Sequence, residues 1–163
     1  MPASDTSSRV APVVAAGAAR VVDAAVSPDP VSAADGHTHV MVVEDDRDTR
    51  EVVKLILELD GMDVTEASDG FEALDRLHSL RERDPLLPCV IVLDIMMPRC
   101  SGPEFRRRQL NDPLISDVPI IVLSAIADQT RLEDLQPYAK VQKPFDPDQL
   151  IQVVRAACDR QTR

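Results

Sequence analysis

Short apolar runs alternate with helical periods along most of this chain. Val40 to Val43 are apolar without interruption, and behind them Val52, Leu55, Ile56 and Leu59 recur at three- and four-residue spacing. The first pattern predicts a strand and the second an amphipathic helix. Asp48 with Glu51 three residues on reads as the start of that helix, and Gly61 as its stop. The alternation then repeats. A weaker strand near Met62 to Ala67 precedes a helix with Phe71, Leu74, Leu77 and Leu80 on one face, which Pro85 and Pro88 end. Cys89 to Leu93 reads as a third strand, Pro103 to Leu110 as a short helix, Ile120 to Leu123 as a fourth strand and Arg131 to Leu135 as a weak helix. Ala139 to Gln142 makes a fifth strand. Asp146, Pro147 and Gln149 open a last helix with an apolar stripe of Leu150, Val153, Val154 and Ala157.

Five strand–helix units predict an α/β fold, a doubly wound parallel sheet with helices on both faces. The first, third and fourth strands are unbroken apolar runs, as strands covered on both sides must be, whereas the second and fifth mix polar with apolar residues. The mixed strands belong at the edges. The order 2-1-3-4-5 puts them there, and a sheet of that order places its ligand site beyond the carboxyl ends of the central strands.

Composition changes sharply along the chain. Residues 1–36 are rich in Ala, Ser, Pro and Asp with few large apolar side chains, a mixture that cannot bury enough surface to offset chain entropy. They are expected to be a disordered tail, with one folded domain over 37–163. Val10 to Ala19 has the flavour of a signal peptide, but Asp5 precedes it, Arg9 is its only flanking cation before the run, and Pro12 and Gly17 interrupt it. No apolar run approaches the length of a membrane span, so no membrane association is expected. The short remainder after Arg160 leads us to expect no attached output domain.

Charge and cysteine usage narrow the function. A net charge of −10 opposes binding to a phosphate backbone, and one Tyr with three Phe offers few stacking platforms, so nucleic acid is not an expected partner. Cys89, Cys100 and Cys158 are odd in number and lack CxxC spacing. They read as reduced thiols of a cytoplasmic protein, with neither a disulfide nor a zinc site. The run Arg106, Arg107, Arg108 reads as a solvated helix face.

The candidate chemistry gathers at the strand ends. Glu44, Asp45 and Asp46 follow the first strand, Asp94 the third, Ser124 the fourth and Lys143 the fifth. Each alone has a plain explanation: a helix cap, a turn former, a solvated lysine. Their convergence on one carboxyl edge points elsewhere. Glu44, Asp45 and Asp94 would repel one another and so invite a hard cation with oxygen ligands, for which Mg²⁺ is best suited because it also leaves positions for phosphate oxygens. A carboxylate beside a metal, a hydroxyl and a lysine suggests phosphoryl transfer. Asp94 would be the nucleophile, Lys143 would offset charge, and Ser124 would hydrogen-bond a phosphoryl oxygen.

With VMVVEDD, VIVLDIMMP, IIVLSA and QKPF in this order between about His39 and Arg160, the chain resembles the receiver domain of two-component response regulators, in a stand-alone form. The resemblance implies the flavodoxin-like receiver fold, Asp94 as phosphoacceptor, and Glu44, Asp45, Asp94 and the Met96 carbonyl as Mg²⁺ ligands. It also implies Ser124 and Lys143 as the catalytic hydroxyl and lysine, and a cis Lys143–Pro144 bond. The implied partners are a histidine kinase or phosphotransfer protein and an unnamed downstream protein; the only catalysis is of the domain's own phosphorylation and dephosphorylation. Three features depart from the family pattern. Lys140 stands where many receivers have an aromatic residue, the stretch from Ser124 to Lys143 is short, and PRCSG places Cys100 near the site. A phosphatase with an aspartyl nucleophile would need a second aspartate where Met96 stands, and flavin binding lacks its loop. The remaining alternative is a degenerate receiver acting as a scaffold without phosphorylation.

Overall fold

The structure, a computed structural model, describes residues 38–125, 132 and 135–161. Its elements are β1 (His39–Val43), α1 (Arg47–Leu59), β2 (Asp63–Ala67), α2 (Gly70–Arg83), β3 (Val90–Asp94), α3 (Gly102–Leu110), β4 (Ile120–Ser124), β5 (Ala139–Gln142) and α4 (Pro147–Gln161). The five strands form one parallel sheet in the order β2-β1-β3-β4-β5, with the two mixed strands at the edges as their composition requires.

Period-two alternation explains why the central strands are apolar throughout. Val40 and Val42 of β1 and Val90 and Val92 of β3 enter one core with Val53 and Leu57 of α1 and Leu150 and Val154 of α4. Met41, Val43, Ile91 and Leu93 enter the other, with Leu77 of α2 and Phe105 of α3. Every residue of β3 and β4 is buried. Burying each such large aliphatic side chain contributes about 1.5–3 kcal/mol.

Capping sets where the helices begin. The cap of α1 is Asp46, whose side chain accepts from Thr49 N at 2.8 Å, rather than the expected Asp48, which sits within the first turn. Asp46 wins because it is the last residue with extended backbone. Gly61 ends the segment at a φ of 81°, which glycine adopts without strain. Asp69 caps α2 by accepting from Phe71 N and Glu72 N, Ser101 caps α3, and Asp146 accepts from Asp148 N and Gln149 N at the start of α4.

Two sequence readings are corrected. Cys89 and Cys158 are not free thiols but a disulfide joining the residue before β3 to the last turns of α4; of the described cysteines, Cys100 alone is free. Their separation of 69 residues hides a pairing that only the packing of α4 on the sheet creates. The arginine run is also not one solvated face. Arg107 and Arg108 pair with Glu104, while Arg106 is buried and donates to the carbonyl of Leu135 and to the Gln109 side chain. The weak helix expected at Arg131 to Leu135 lies largely outside the described residues; its Leu132 and Leu135 are buried. The tail expected over residues 1–36 lies wholly outside them.

Candidate functional site

The carboxyl edge of the sheet assembles the site from strand ends. Register pairs Val43 with Leu93, so Glu44 and Asp94 come next at matching height on adjacent strands. Ser124 ends the neighbouring β4, and Lys143 follows β5. A ligand oxygen from each of Glu44, Asp45 and Asp94 can lie within 4.8 Å of the others. Glu44 and Asp94 are buried, at 2% and 7% exposure, while Asp45 is open to solvent.

Lys143 answers the question posed by two buried anions. Its Nζ donates to Glu44 Oε2 at 2.8 Å and to Asp94 Oδ1 at 3.1 Å, spanning from the outer strand to the centre of the sheet. Burial pushes the Glu44 and Asp94 carboxyls above their ordinary range, and the lysine only partly offsets this. For Lys143 burial opposes the charge, but its hydrogen bond to Glu44 and the nearby Asp94 charge prevail and raise its pKa. The Lys143–Pro144 bond is cis, as the family resemblance implied.

Of the sequence-derived residues, Glu44, Asp45, Asp94 and Lys143 are therefore together. Ser124 stands at the same edge, buried, its carbonyl accepting from Lys143 N at 2.8 Å. Met96 lies two residues past Asp94 with its side chain exposed. Lys140 is exposed on β5, and Tyr138 lies against the Arg160 guanidinium instead of at the site.

Several positioning residues escaped the sequence reading. Arg50 Nη1 donates to the Glu44 carbonyl at 2.7 Å and so holds the backbone from which the acidic pair projects. Arg99, at a φ of 67°, bridges to buried Asp69 at 3.0 Å and fastens the loop after Asp94 to the start of α2. Gly102 packs against the site's own backbone, since a Cβ there would lie 2.8 Å from the Asp94 carbonyl oxygen. Its amide donates to Ile95 O, so α3 begins against the residue that follows Asp94. A glycine next to a capping serine was the only local signal of this.

This sheet and the acidic edge with its lysine define the class, and the model of the response regulator receiver domain matches residues 40–155. The chain belongs to that family. It is 38% identical over 126 residues to the transcriptional regulatory protein CseB of Streptomyces coelicolor, a match covering 76% of this chain and 50% of that protein. It is also 38% identical over 125 residues to an uncharacterized 14.6 kDa protein of Leptolyngbya boryana, covering 73% of this chain and 88% of the other. The chain thus spans about half the length of CseB but most of the shorter relative. Among solved structures, the receiver domain of the Francisella response regulator 1452 superimposes with a TM-score of 0.65 at 31% identity, covering 78% of this chain and all of that one.

Proposed function

We propose that this receiver domain takes a phosphoryl group onto Asp94 from a histidine kinase or phosphotransfer protein, in the cytoplasm, and passes the signal on through protein contacts. The observation that carries the reading is the contact of Lys143 with buried Asp94 and Glu44 at the strand ends. In the transfer, an Asp94 carboxylate oxygen attacks phosphorus, the bond from phosphorus to the donor imidazole nitrogen breaks, and the imidazole leaves and takes up a proton. Lys143 stays charged and can follow the charge that moves onto the phosphoryl oxygens. Ser124 supplies a hydroxyl at the adjacent strand end.

The donor set fits Mg²⁺, because it is all oxygen, anionic and open on the Asp45 side. Glu44, Asp45 and Asp94, with the Met96 carbonyl, would hold the ion, which when bound neutralises charge on the phosphoryl oxygens.

Asp94→Asn tests the assignment, since the amide is nearly isosteric but no nucleophile. We expect intact-mass analysis after acetyl phosphate and Mg²⁺ treatment to show a phosphoryl adduct on the wild type and none on the variant. An adduct retained by the variant would place the nucleophile elsewhere. A wild type that never acquires one would support the scaffold reading.

A further inference from the structure

We propose that Cys89 and Cys158 form a reversible redox-modification site for small-molecule thiols and disulfides of the glutathione type, whose state sets how firmly the end of α4 is held on the sheet. The inference does not rest on the role of Asp94.

Position is the first argument. Cys89 immediately precedes β3, so the bond lies at the amino edge of the sheet, five residues and about 16 Å of extended strand from Asp94. Cys158 lies three residues before the end of α4. The other ties of this last stretch lie on the outside, where Arg155 pairs with Asp60 at 2.7 Å. Gln161 Nε2 donates to Asp117 O at 3.2 Å, and Arg160 lies 5.5 Å from the Tyr138 ring centre, both on the surface. Without the covalent tie the final turns keep these surface contacts and the apolar contacts of Val154, Ala157 and Cys158.

Access and accommodation are the second. Cys89 is partly exposed while Cys158 is 7% exposed, so an incoming thiolate meets the Cys89 sulfur. Attack there makes a mixed disulfide on Cys89, and Cys158 leaves as a thiolate that takes up a proton. A second thiol then attacks the adduct, releasing one small disulfide and the Cys89 thiol. Two small thiols are oxidised as one protein disulfide is reduced, and the reverse sequence restores the bond. The reduced state is also provided for. Cys89 Sγ lies 3.1 Å from the His39 carbonyl oxygen, which can accept from the new thiol, and Cys158 sits in an apolar cluster that suits a protonated sulfur. Cys100 cannot intervene, because it is fully buried in the other core.

The full chain is equilibrated in buffers of different reduced to oxidised glutathione ratio, denatured, labelled with N-ethylmaleimide and weighed, with amide exchange measured in parallel. Because the sequence has three cysteines, we expect one label in oxidising buffer and three in reducing buffer, interconverting in both directions, with any glutathione adduct mapping to Cys89. Reduction should speed exchange in residues 154–161 by about tenfold or more while leaving 90–94 unchanged. In amide exchange at 154–161, Cys158→Ala should match the reduced wild type in either buffer. Three labels in oxidising buffer, a one-way conversion, equal exchange at 154–161 in both states, or a change spreading to 90–94 would each overturn the proposal. The wild-type arms decide it even if the variant does not fold.

Discussion

Replacing Lys143 with methionine removes the cation that bridges two buried carboxylates while keeping most of the stem's volume. At an effective dielectric of about 20, contacts of 2.8 and 3.1 Å correspond to about 6 and about 5 kcal/mol of direct attraction. Taking the lysine and both carboxylates out of water cancels much of that. Removing one partner nevertheless leaves anions that were buried on the strength of the pairing. Glu44 keeps the Asp46 amide at 3.3 Å as a donor from its own turn, and Lys143 is 28% exposed, so we place the net loss at about 2–4 kcal/mol. For a domain of this length that lowers Tm by about 10 °C. Circular-dichroism melts of both proteins at neutral pH in EDTA measure it. Repeating them in millimolar Mg²⁺ should recover more stability in Lys143→Met than in the wild type, because three carboxylates without a lysine hold a cation more tightly. A variant melting within about 2 °C of the wild type in EDTA would show that the lysine does not compensate the buried charge.

Glu72 should make stability fall in acid. Its carboxyl is held down at about 2 by hydrogen bonds from the Ser68 amide and hydroxyl and then by Arg76, so its contribution is present above the ordinary value of 4.5 and lost as pH falls toward 2. Melts of Glu72→Gln should lie below the wild type above pH about 5 and converge with it near pH about 2; a constant gap would refute the linkage. Gly70→Ala should destabilise by about 1–3 kcal/mol in urea unfolding, although alanine is the better helix former, because its Cβ would lie 2.5 Å from Cys100 Sγ. Adding Cys100→Ala should return part of the loss, and a more stable single variant would contradict the packing.

The sheet was legible because burial on two faces writes itself into a strand as an unbroken apolar run, and β1, β3 and β4 each carry one. The edge positions of β2 and β5 followed from the same reasoning in reverse. The acidic cluster and Lys143 were legible only jointly, since parallel topology sends every strand's end to one edge. What stayed hidden depends on distance in sequence or on local backbone. Asp46 and Asp48 are the same side chain two residues apart, and only the extended backbone of the first makes it a cap. Cys89 and Cys158 gave no spacing signal. Arg106 is indistinguishable from Arg107 and Arg108 until α3 docks and turns one of the three inward.

The β1–β3 register carries a further consequence for how this site can be altered. Glu44 and Asp94 face each other because Val43 pairs with Leu93, and neither residue owes its height to a loop of its own. A single residue inserted into β3 ahead of Asp94 would turn the carboxylate to the opposite face and reverse the two cores at once. Insertions between Asp84 and Cys89, where no strand pairing is interrupted, carry no such penalty. Length variation in this scaffold is therefore confined to its connections, and grafting the site onto another sheet means transplanting a strand alignment, not a set of side chains.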